Sequence, residues 1–129
     1  MKIPEANLVL AWIGIVLGFL SGLGLGLNFH GDDWLGGYGS WKRRLYRLAH
    51  ISFFGLAAMN LMFYFTARAL LSAGPARTVA AWGFIAGAIS MPVCCWLMAN
   101  NKKARPLFVI PVLSLLAGSL CTLWEITRL

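Results

Sequence analysis

Acidic side chains are scarce in this chain, with four Asp or Glu among 129 residues against eleven Lys or Arg. None of the four lies within a long apolar stretch. A carboxylate-driven pathway for protons or cations therefore has no obvious carriers in the membrane. Cysteine is rarer still: Cys94, Cys95 and Cys121 form no Cys-x-x-Cys pair and sit in apolar sequence. That argues against a disulfide framework or a zinc cluster and predicts buried thiols behaving as small hydrophobes. No phosphate-binding glycine loop occurs, and no nucleophile has a matching base, so no catalytic constellation is legible.

Apolar sequence is what the chain has in abundance. Hydrophobic residues make up 60% of it and charged residues 12%, where an ordinary soluble domain carries roughly a quarter charged. The stretches 8–29, 48–71, 79–99 and 107–123 hold one Lys or Arg between them, Arg68. Each is about long enough to cross a hydrocarbon core roughly 30 Å thick. The pattern predicts an all-α integral membrane protein, a four-transmembrane-helix antiparallel bundle formed by one domain over residues 1–129. Helices are expected at about 8–29, 43–71, 79–99 and 106–126. The first stretch is too long for a signal-peptide core, and no small-x-small cleavage site precedes a soluble domain.

The net charge of +7 is distributed by topology rather than gathered for nucleic acid. Lys42, Arg43, Arg44 and Arg47 follow the first span, and Lys102, Lys103 and Arg105 follow the third; Lys2, Arg68, Arg77 and Arg128 lie toward the other side. Seven against four predicts that loop 30–42 and the third loop are cytoplasmic and both termini outside, as in a bacterial inner membrane. The lipid bilayer is the expected partner of these basic residues.

The first span repeats glycine at 14, 18, 22 and 26, a spacing that brings another surface against the backbone. That surface is a neighbouring helix, a second copy of the chain or a flat cofactor. Gly22, Gly26 and His30 share roughly one face, with about 40° of drift per four-residue step. The loop HGDDWLGGYGSW places Trp34, Tyr38 and Trp41 at headgroup depth, and Ser40 is positioned to cap the second helix. Farther on, Asn60 is expected near mid-membrane, bonding across to another helix. Pro92 predicts a kink in the third helix with Ser90 near the freed carbonyls, and Pro106 opens the fourth. Glu125 is expected to pair with Arg128 or Arg68.

Two histidines from adjacent antiparallel helices, His30 and His50, are expected at matched depth. Such a pair can ligate a haem b iron axially. Gly22 and Gly26 would leave room for the ring, Phe53 and Phe54 would pack on it, and Arg43, Arg44 or Arg47 would pair with its propionates. The leading expectation is a haem b electron-transfer or redox-associated subunit. An alternative is a cofactor-free accessory subunit or homo-oligomeric scaffold that packs through the glycine face within a membrane complex. A third is a small transporter or Cu(I)-handling protein using Met91, Cys95 and Met98, soft donors on one helix face.

Overall fold

In the computed structural model, which describes residues 3–70 and 72–129, four long helices follow one another in antiparallel order. They are α1 (Glu5–Leu27), α2 (Trp41–Ala69), α3 (Pro75–Asn100) and α4 (Val109–Ile126). Four helical segments are long and apolar enough to cross a membrane, the fourth counted from Lys102. This is a four-helix membrane bundle, with no strand among the described residues. One end carries the two basic loops, and the other carries the described termini and the short α2–α3 connection.

The ends of the helices follow local chemistry. Ser40 accepts from the Arg43 amide at 3.1 Å and donates to the Leu35 carbonyl at 2.7 Å, so one hydroxyl caps α2 and ties down the preceding loop. That loop turns through positive φ at Leu35, Gly36 and Gly37, a region open to glycine and costly for leucine. Pro75 opens α3, where its missing N–H leaves no bond unmade. Pro106 does not open the fourth α-helix as expected. It lies inside a 3-10 segment, Lys102–Phe108, and α4 starts at Val109. The expected end of the second helix at Leu71 lies outside the described residues, as does Lys2.

α1 starts earlier than its apolar stretch implies. Asn7, just ahead of the expected start at about residue 8, is inside the helix and completely buried. Its amide donates to Asn60 Oδ1 at 2.8 Å and to the Ala81 carbonyl at 3.2 Å. Asn60 in turn donates to the carbonyls of Leu56 at 2.9 Å and Phe84 at 3.3 Å. Asn60 thus bonds across helices as expected, but opposite the third residue of α1 and so toward the terminal end rather than mid-span. In hydrocarbon such amide contacts contribute about 0.6–2 kcal/mol each. Beside this clasp, Phe63, Ala67, Ala80, Ala81 and Phe84 form the buried core.

Packing is sequential: α1 lies along α2, α2 along α3, and α3 along α4. α1 reaches α3 at the Asn7 clasp, and from there toward the basic end the two helices diverge. Ser90 donates to Ala86 at 2.6 Å, so it does not serve the Ala88 carbonyl, the acceptor that Pro92 leaves without its usual i+4 N–H. Arg68 pairs with Glu5 at 3.9 Å rather than with Glu125, and Arg128 lies over Trp124.

Candidate functional site

The divergence of α1 from α3 opens a groove floored by α2. Its wider part, about 620 Å³, is lined by Ile13 and Leu17 of α1, Phe53 and Leu56 of α2, and Ile89, Pro92, Val93 and Trp96 of α3. A second part of about 360 Å³ continues toward the basic end and shares Phe53, Pro92 and Trp96 with the first. There the lining gains Ser21, Trp34, Tyr46 and His50. On α2 the residues 46, 49, 50, 53, 56 and 57 recur at three- and four-residue steps, so one stripe of the helix floors the whole groove. The result is an apolar channel in the bundle's flank with hydrogen-bonding groups at one end.

The glycine row explains how His50 reaches that position. A methyl on Gly14 would lie 3.1 Å from the Ala57 side chain. One on Gly18 would meet the Phe54 ring at 2.7 Å, and one on Gly22 would meet His50 Cε1 at 2.8 Å. The neighbour admitted by the glycines is therefore α2. That face has no space for a porphyrin at Gly14, Gly18 or Gly22. Gly26, by contrast, meets nothing within 4 Å. Phe54 stacks edge-on with His50 at 5.6 Å and with Phe19 at 5.3 Å, which fixes the imidazole from its second side.

His50 Nδ1 lies 2.9 Å from Ser21 Oγ, and the same hydroxyl lies 3.0 Å from the Gly18 carbonyl. One hydroxyl proton serves one of these acceptors at a time. With the hydroxyl hydrogen directed at the Gly18 carbonyl, Nδ1–H donates to Ser21 and Nε2 carries a lone pair. With it directed at Nδ1, Nδ1 accepts and Nε2 carries the hydrogen. A rotation of Ser21 is thus matched to either neutral tautomer. No hydrogen bond among the described residues involves Nε2.

The chain matches no family model, no curated protein and no solved structure. Its chemistry is read from its own geometry.

That geometry separates the two histidines. α1 ends at Leu27, and His30 sits exposed in the turn beyond it. Arg43 donates to the carbonyls of Phe29 at 3.4 Å and Gly31 at 3.5 Å, which flank His30. Arg43 precedes His50 by seven residues on α2, about 10 Å of helix rise. His30 therefore lies near the surface and His50 deeper, so the two imidazoles do not face one another. The matched-depth expectation fails because the helix stops before the glycine face can carry His30.

The arginines divide likewise. Arg43 is 3% exposed and enclosed by the rings of Phe29, Trp34 and Tyr38 at 5.4–5.5 Å. It holds the loop together and is closed to an outside anion. Arg47 lies over Tyr38 at 4.2 Å. Arg44 lies on a different side of α2 from the His50 stripe, beside Leu48 and Ile51. Of the sulfur residues, Cys95 is fully buried, Met98 is buried and Met91 half-buried. Cys94 Sγ lies 3.4 Å from the Leu107 carbonyl. No group of three His, Cys, Asp or Glu converges among the described residues. Ser21, Tyr46 and Trp96 were not singled out from sequence. The four-residue step from Tyr46 to His50 was the available signal.

Proposed function

We propose that the protein is a redox-associated membrane subunit that binds a quinone or quinol in the α1–α2–α3 groove. The ring head sits at His50 and the isoprenoid tail runs along Phe53, Ile13 and Val93. The observation carrying this reading is the placement of one imidazole, held through Nδ1, at the hydrogen-bonding end of an otherwise apolar groove. A lipid acyl chain fills such a groove but has no use for its polar end. A quinone head needs a donor and a quinol head an acceptor, and His50 offers either through the Ser21 rotamer. The groove's size falls in the range of small-molecule pockets, roughly 300–1,000 Å³. We read the basic end as cytoplasmic, from the excess of Lys and Arg there.

Haem b is the second reading, favoured by the same Nε2. It would have His50 as its sole histidine ligand, since His30 is not opposite. The bound group would supply one-electron transfer.

Tryptophan quenching by a short-chain ubiquinone, measured on purified protein in nanodiscs, tests the proposal, because Trp34 and Trp96 line the groove. Saturable quenching is expected, weakened about three- to tenfold by His50→Leu or Ser21→Ala, the value of one hydrogen bond. Ala88→Phe should block it by filling the groove. Equal competition by a saturated hydrocarbon would sink head recognition. A Soret band in the purified protein would move the assignment to haem.

A further inference from the structure

We propose a second binding site, on α2 away from the groove, for the phosphate of an anionic phospholipid. A hollow of about 400 Å³ there is lined by Trp41, Arg44, Leu45, Arg47, Leu48 and Ile51. Its residues are graded by depth. Trp41, Arg44 and Arg47 occupy the first two turns of α2, at the loop level, and Leu48 and Ile51 follow one turn deeper. Arg44 is exposed, and Leu48 and Ile51 are 38% and 64% exposed. A ligand charged at one end and apolar at the other is complementary to that order.

A third cation, from another loop, packs on one wall residue of the hollow, Trp41. The guanidinium of Arg105 lies 4.6 Å from the Trp41 ring centroid. The Trp41 indole N–H donates to the Met98 carbonyl at 2.9 Å, which locks the start of α2 to the end of α3. The positive charges are thereby held on a fixed frame rather than on two independent loops. Among the described residues neither Asp32 nor Asp33, though in the neighbouring loop, comes within ion-pair distance of these arginines. Arg43, one residue before Arg44, is enclosed by aromatic rings and contributes field rather than contact. Guanidinium groups suit phosphate through paired, planar N–H donors. The exposed leucine and isoleucine below continue the surface into the acyl region, where a free phosphate gains nothing.

The test is lipid retention measured by native mass spectrometry after extraction from membranes of equal dioleoyl phosphatidylglycerol and dioleoyl phosphatidylcholine. Phosphatidylglycerol should be retained preferentially. R44Q/R47Q should reduce that preference by about thirtyfold, from two cations at a membrane surface. R44K/R47K, which keeps the charge and loses the paired donors, should fall between wild type and R44Q/R47Q, and R128Q at the other end should leave the preference unchanged. Circular dichroism of R44Q/R47Q reports its fold, and R44Q alone, at an exposed position, repeats the test with one charge removed. Equal retention of the two lipids, loss in R128Q to the same degree, or no change in R44Q/R47Q would overturn the site. So would millimolar inorganic phosphate or glycerol 1-phosphate stripping the lipid, which would assign the cations to a soluble anion. Each outcome is independent of quinone binding in the groove.

Discussion

Along the basic half of α1, glycine makes room for rings, Phe54 at Gly18 and His50 at Gly22, while Gly14 faces both the Ala57 side chain and the Phe53 carbonyl. Along the α3–α4 seam it makes room for backbone. A methyl on Gly83 would lie 2.7 Å from the Ser114 carbonyl oxygen and 3.0 Å from the Gly118 backbone. One on Gly118 would lie 3.1 Å from the Ala80 carbonyl. Gly87 is filled differently, by Leu115. A ring can rotate out of the way, whereas a helix backbone moves only as a body. The first seam therefore tolerates adjustment and can hold a side chain with a job. The second is a close main-chain contact of the sort small residues permit in membranes.

Gly83→Leu is the strongest way to break the comparison. The added side chain meets a carbonyl and a facing glycine with no rotamer to yield, so α3 and α4 must separate. Overpacking of this kind costs about 1–3 kcal/mol and occasionally more, and this site should reach the upper end. Gly18→Leu should cost less, since Phe54 can swing toward lipid beside the exposed Phe19. Unfolding by sodium dodecyl sulfate in mixed micelles measures both. Should Gly18→Leu prove the more destabilising, the backbone-versus-side-chain distinction is wrong.

The polar clasp sharpens the contrast next, because it ties the adjustable α1 to the core. Asn60→Leu removes one of the two acceptors of Asn7, leaving the Ala81 carbonyl, in a buried amide whose Oδ1 already lacks a hydrogen-bond partner among the described residues. A loss of about 1–3 kcal/mol is expected. Replacing both asparagines with leucine should cost less than the two single losses added together, with a coupling of about 1 kcal/mol in a double-mutant cycle. Strict additivity would mean that the two amides do not act as one clasp.

What was legible beforehand follows the same physical lines. The four spans were readable because hydrocarbon thickness demands long apolar runs, and composition records length directly. The start of α1 was not, since a lone asparagine near a terminus looks like a lead until its partners on α2 and α3 are known. The α1 glycine row announced itself by its spacing, but not which neighbour filled it. The α3–α4 seam was silent because Gly118 is a single residue on its own helix and matters through Gly83 opposite. His50 stood out at the border of charge and apolar sequence. Its relation to His30 depended on where α1 stops, and helix ends are weakly encoded. The groove was invisible because it arises from a divergence between α1 and α3, a property of no one segment.

The smallest stability effect carries the most functional information. Gly22→Ala adds one methyl at 2.8 Å from His50 Cε1, and the imidazole, half-exposed and bounded on its other side by Phe54, can give way. Its cost to folding should stay near 1 kcal/mol, low in the overpacking range. The displaced ring, however, loses its 2.9 Å contact with Ser21, and with it the pairing that sets which proton Nε2 presents. Quinone affinity by tryptophan quenching should then fall about as far as in Ser21→Ala, roughly three- to tenfold. The double variant should fall little further, because both substitutions disable one arrangement. Were Gly22→Ala to bind quinone as wild type does, the glycine at this step would serve packing alone, and the α1–α2 seam would differ from the α3–α4 seam in mechanics but not in purpose.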